Sequence, residues 1–165
     1  MINLYKKFNF IFLSISIYVL FINTALSFTE DLIREIKLSE GFTSKPIYDP
    51  TGNVVIGYGH TKYMGKYPNF INEKEADKLL RKDLKIIANQ LEPVLPENLN
   101  LYQKEAVYSI VYNVGIGTFL KTKLYKHLTD DNIEKYFKSL VYGKRKYFKG
   151  LEVRRIREYK LWCRK

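Results

Sequence analysis

The sequence predicts a mainly helical α+β domain, on three observations. Apolar residues recur at helical spacing in several separate stretches. Three of those stretches open on a capping-box pattern. One short β-branched and aromatic run, preceded by a turn signal, interrupts the helical spacing near the start. A chain of 165 residues suits one hydrophobic core. A composition 46% hydrophobic and 15% aromatic excludes a disordered chain.

The first segment stands apart from the domain. Lys6 and Lys7 precede a run from Phe8 to Phe28 with no charged residue. The run ends in Ala25-Leu26-Ser27, a small-x-small pattern that a signal peptidase can cut after Ser27. The order basic, apolar, small describes a secretory signal over residues 1–27. The run is also about long enough to remain as an uncleaved membrane anchor. Either outcome exports residues 28–165, to the outside or the periplasm, or holds them at the inner membrane.

The exported part begins with a helix. Thr29 is its cap, and Glu30 and Asp31 suit the N-terminal dipole. Leu32, Ile36 and Glu40 are four apart and share one face, and Gly41 is the expected stop. A carboxylate at the end of an apolar stripe is partly stripped of water, which favours its neutral, proton-carrying form. Asp49-Pro50-Thr51-Gly52 then reads as a type I turn. Asn53 to Tyr58 reads as a strand, so a hairpin sets Asp49 at a strand end. Ile71 to about Gln90 is the clearest helix, with Asn72 and Glu75 as its capping box and Pro93 and Pro96 beyond its end. Asn100 and Gln103 open a second helix, which Gly115 and Gly117 break. Thr122 starts a short helix through His127. Asp131 and Glu134 form the third box, and Gly150 precedes a final helix. A small hairpin lobe joined by a long helix to a helical lobe leaves a cleft, where extended polymers bind.

The charge narrows the partners. The formal net charge of +11 points to an anionic partner or to a solvated basic surface. Export and the absence of a nucleic-acid-binding motif argue against DNA or RNA. Cys163 is the one cysteine, so no intrachain disulfide forms. Two histidines are too few for an imidazole metal site, so no metal or other cofactor is expected.

Two carboxylates facing a cleft are the usual equipment of glycoside hydrolysis: one donates a proton to the leaving oxygen, the other stays ionised. Glu40 suits the acid and Asp49 the ionised partner. Whether the outcome is inverting or retaining depends on their separation, which spacing along the chain leaves open.

Here the residues resemble the phage-type lysozymes of glycoside hydrolase family 24. Glu40, eight residues, then Asp49 keeps the spacing of that family's active-site pattern. The phrase from Tyr48 to Thr61, ending Ile56-Gly57-Tyr58-Gly59-His60-Thr61, is similar to the family's hairpin signature. The likeness continues through Glu75-Ala76, Asp83, Gln103, Asn113-Val114-Gly115 and Arg154-Arg155 to Glu158. The resemblance implies a lysozyme-like, two-lobed fold and a monomer without metal. It implies cleavage of the β-1,4 bond between N-acetylmuramic acid and N-acetylglucosamine in peptidoglycan, and so lysis of bacterial walls; anionic wall polymers are further partners. It also implies that His60 meets Asp83, and that Arg154 or Arg155 approaches Glu40. One position departs. The family has a threonine five residues beyond its aspartate, which helps hold the attacking water, and this chain has Val55. Valine keeps the shape and lacks the hydroxyl. A lytic transglycosylase, which needs the acid but no water, and a non-catalytic wall-binding or antimicrobial protein on the same scaffold are the alternatives it raises.

Overall fold

The computed structural model describes residues 27–49, 52–61, 66–143 and 146–165. All but the last residue of the 1–27 segment, and Pro50 and Thr51 of the turn, lie outside them. The elements in order are α1 (Glu30–Glu40), β1 (Thr43–Tyr48), β2 (Val54–Gly57), α2 (Glu73–Leu91), α3 (Leu101–Val114), α4 (Ile116–Phe119), α5 (Lys123–Lys126), α6 (Glu134–Lys138), β3 (Tyr142–Gly143), β4 (Lys146–Tyr147) and α7 (Lys149–Trp162). A 3-10 turn, Ser139–Val141, joins α6 to β3.

Local chemistry starts and stops these helices. The Thr29 hydroxyl accepts from the Leu32 N–H, capping α1. Both capping boxes expected for α2 and α3 form completely, Asn72 with Glu75 and Asn100 with Gln103. Gly115 ends α3 with φ +77°, its N–H donating to Val111 O. The Thr122 hydroxyl caps α5 by accepting from the Tyr125 N–H.

Packing assigns α1 to the helical layer. Its Leu32, Ile33 and Ile36 are fully buried, each contributing about 1.5–3 kcal/mol. They pack with Ala106, Val107 and Ile110 of α3 and with Leu161 and Trp162 of α7 in one core. The β1–β2 hairpin packs chiefly on α2, through Ile56, Ile71, Ala76 and Leu80. Glu40, the last residue of α1, therefore stands where the helical layer gives way to the hairpin.

Three local expectations need correction. Asp131 and Glu134 form no capping box: Ile133 precedes α6 without a side-chain cap, while Asp130 accepts from the Asn132 N–H and the Tyr136 hydroxyl. Two adjacent aspartates competed, and the one that closes the local turn prevailed. Gly150 lies inside α7, which starts one residue earlier at Lys149. A second hairpin, β3–β4, pairs Tyr142 with Tyr147 and Gly143 with Lys146, where only a helix end was expected. β1 also reaches back to Thr43, with its register broken between Thr43 and Ile47. Pro46 lies in that break and has no N–H for the ladder.

Candidate active site

Glu40 lines an open groove of about 680 Å³ between the end of α1 and the start of α7. Gly41 ends α1 at φ +69°, and its N–H donates to Lys37 O. The two oxygens of Glu40 have different surroundings. Oε1 accepts from Arg154 Nη1 at 2.6 Å. Oε2 is set against Gly59, where a Cβ would lie 3.5 Å from it. Gly59 has φ +88°, a backbone conformation that favours glycine, while an added Cβ would make only ordinary contact with Glu40. The Tyr112 ring closes the same corner, and its hydroxyl donates to Tyr58 O at 2.7 Å. Burial, with Asp83 and Glu40 nearby, pushes the Tyr112 phenol far above its ordinary range, so the hydroxyl remains a donor.

Arg154 is 4% exposed and spends all its directions. Nη1 goes to Glu40, Nε to Glu158 Oε1 at 3.0 Å, and Nη2 to Ser109 O at 3.1 Å. Burial alone would pull its pKa down, but Glu158 and Glu40 outweigh that and hold it above its ordinary value. Glu158 is fully buried, which pushes its carboxyl up against the pull of Arg155 and Arg154. Of the two arginines expected near Glu40, Arg155 turns elsewhere. Its Nη2 donates to Asn113 Oδ1, and its Nε lies 2.9 Å from Glu158 Oε2, close enough for attraction but out of line for a hydrogen bond. Arg157 adds a second tie from α7 to α1, donating to both oxygens of Glu35 and to the Ser39 hydroxyl.

Asp49 sits at the end of the β1–β2 hairpin. Its Oδ1 accepts from the Asn53 N–H at 2.9 Å, and Asn53 Nδ2 reaches Oδ2 at 3.4 Å. Gly52 N–H donates to Asp49 O, closing the turn. Val55 is partly buried in β2, opposite Ile47. His60 Nδ1 lies 2.8 Å from Asp83 Oδ2, which joins the end of the hairpin to α2. A second hollow, of about 260 Å³, opens along α2 from Gly59 and Asp83 to Gln90 and Tyr112. Glu40 stands between the two hollows. Among the described residues, no cluster of three or more histidine, cysteine, aspartate or glutamate side chains is arranged to hold a metal.

Sequence reasoning missed Glu35, Ser109, Tyr112 and Arg157 as parts of this site. The spacing of Arg154, Glu158 and Glu35 along their helices was a usable signal, since acids and bases on helix faces otherwise apolar need partners. Tyr112 carried no such mark.

Comparison with known proteins identifies the family. Residues 37–158 match the model of the phage lysozyme family, from just before Glu40 through Glu158. The chain belongs to the phage lysozyme family. A SAR-endolysin of bacteriophage PS34 is 34% identical over 128 residues, covering 74% of this chain and 77% of that protein. Among solved structures, the muramidase domain of SpmX from Asticaccaulis excentricus superposes with a TM-score of 0.75 at 23% identity, covering 84% of this chain and 99% of that one. A mutant P22 lysozyme gives a TM-score of 0.71 at 26% identity over the same shares. This family member is thus a lysozyme-like α+β fold and a glycosidase, a hydrolase of peptidoglycan.

Proposed function

We propose that this enzyme cleaves the β-1,4 bond between N-acetylmuramic acid and N-acetylglucosamine, with Glu40 as general acid and Asp49 as its ionised partner. The observation that carries this reading is the split environment of Glu40. Arg154 occupies Oε1 and fixes the side chain, while Oε2 remains to hold the proton for the leaving glycosidic oxygen. Asp49, receiving two N–H donors, suits an acceptor-only carboxylate that activates water or meets the developing sugar cation. The His60–Asp83 contact, in this reading, holds the hairpin that carries Asp49 against α2.

The domain is proposed to act after export, with residues 1–27 as a signal cut after Ser27 or kept as an anchor. The packing supports a boundary there: Phe28 is buried edge-on to Tyr108, and Thr29 N–H donates to Glu105.

A cell-wall zymogram of the native chain beside Glu40→Gln tests the acid. Losing a general acid costs on the order of a hundredfold to ten-thousandfold in rate. The native chain should clear the gel and Glu40→Gln should not; full clearing by the variant overturns the assignment. Mass spectrometry of the released fragments reads the role of Val55. Reducing ends identify hydrolysis, and anhydro-muramic ends identify transglycosylation, the second reading that the missing hydroxyl favours. The intact mass of the exported enzyme shows whether it starts at Phe28.

A further inference from the structure

The β3–β4 hairpin has no part in the chemistry above, yet it presents an unusual surface. Tyr142 is 63% exposed, Tyr147 45% and Phe148 46%. The two tyrosine rings meet edge to face with centroids 6.1 Å apart. Tyr147 does not swing freely, because its hydroxyl donates to Glu152 of α7. The Phe148 backbone N–H donates to Val141 O, so the backbone at the base of the hairpin is fixed too. Lys146 and Lys149, both exposed, flank the rings.

Exposed aromatic clusters rimmed by polar groups mark binding surfaces more often than bare solvent faces. Pre-fixed rings lose little freedom on binding, which favours this use. Continuity decides what the cluster faces. Phe148 lines the same groove as Glu40 and Arg154, and it follows Tyr147 directly at the end of β4, so the hairpin adjoins the active-site groove at the start of α7. A sugar ring has one face of C–H groups, which packs against an aromatic ring, and a rim of hydroxyls, which stays wet.

We propose that Tyr142, Tyr147 and Phe148 form a stacking platform for sugar rings of the peptidoglycan glycan strand, one or more units away from the bond that is cut. The proposal rests on the reading of Glu40 as the residue at the cleavage point. The platform supplies affinity for the strand and leaves the bond-breaking step unaltered, which is binding shared equally by ground state and transition state.

The test separates binding from cleavage. In the Glu40→Gln background, co-sedimentation with purified peptidoglycan sacculi measures affinity without turnover. The combined variant Tyr142→Ala, Tyr147→Ala, Phe148→Ala is expected to bind at least fivefold more weakly than its Glu40→Gln parent. Leu101→Ala, an exposed apolar side chain at the start of α3, should bind like the parent. Phe148→Trp alone, which keeps a ring, should also retain affinity, and it guards against a hairpin that has merely unfolded. With Glu40 intact, the triple variant should need more wall for half-maximal rate while its limiting rate stays within twofold. A loss of less than fivefold, a parent that does not sediment with sacculi, or loss of affinity in Phe148→Trp overturns the platform. If the native chain releases no sugar yet the triple variant loses sacculus binding, the platform stands and the assignment of Glu40 falls.

Discussion

Arg154 concentrates the residue-scale physics of the site. It is a buried cation with three acceptors from three elements: Glu40 of α1, Ser109 of α3 and Glu158 of its own helix. Removing it leaves Glu158 inside the core with the Ser109 hydroxyl and with Arg155 as its cation, a partner that is poorly aligned. Breaking a buried pair this way typically costs about 3–5 kcal/mol. Arg154→Met should therefore lower the urea midpoint by that much stability at an unchanged slope, and activity should fall further than the folded fraction does, because Glu40 loses its fixed partner. A variant as stable as the native chain would mean that the network contributes nothing. The choice of Arg154 over Arg155 was not legible in the sequence. Adjacent residues point about 100° apart on a helix, and the rotation of α7 is set by Leu161 and Trp162 packing in the core. The spacing of Glu40 on the α1 stripe was legible, because Leu32 and Ile36 declare that face by themselves.

At the scale of elements, the tie between α1 and α2 bears on where Glu40 is held. Lys37 of α1 reaches Asp77 of α2 at 2.6 Å, and Arg81 Nε donates to the other Asp77 oxygen at 2.7 Å while its Nη2 reaches Glu30. Burial would raise the Asp77 carboxyl, but the hydrogen bonds from Lys37 and Arg81 outweigh it and hold it below the ordinary aspartate range. A depressed folded pKa means the stabilisation is complete above the unfolded value of about 3.9 and is lost as pH falls through the folded one. Asp77→Asn should therefore cost on the order of 0.5–1 kcal/mol at pH 7, a figure kept small by partial exposure. The difference should vanish in thermal melts near pH 2; a constant gap across that range would show that the effect is not electrostatic. The long helices were legible for a related reason. Capping boxes and apolar stripes are local signals, and both Asn72 and Asn100 act as the sequence suggests. The β3–β4 hairpin was harder to read, because its strands are two residues each. Its signal was an aromatic on either side of a short basic stretch, Tyr142 and Tyr147, and the helical spacing of Leu140 and Val141 masked it.

At the scale of the whole molecule, the attachment of the β1–β2 hairpin sets the place of Asp49. The hairpin packs chiefly on α2, through side chains continuous with the core that α1, α3 and α7 share. Polar contacts at its far end include His60 to Asp83 of α2, the Tyr58 hydroxyl to Glu73 of α2, and the Tyr112 hydroxyl of α3 to Tyr58 O. The last of these reaches from the hairpin to the central helical layer, and it does so beside Glu40. Opening there would shift Gly59, which lines the second hollow, away from Glu40 and change the geometry between Glu40 and the hairpin bearing Asp49. Tyr112→Phe keeps the ring and removes the latch, leaving a buried carbonyl without its donor at a cost of about 1–3 kcal/mol. Hydrogen exchange resolves such local openings from global unfolding. The amides of Ile56 and His60, which bond each other's carbonyls across the Gly57–Gly59 turn at the end of β2, should exchange roughly fivefold or more faster in Tyr112→Phe. The amides of Ala106, Val107 and Ile110, at the centre of α3, should keep their native protection. If those amides lose protection by the same factor, the hairpin opens only when the core does, and the Tyr112 hydroxyl is a support of the whole fold and not a latch on the site.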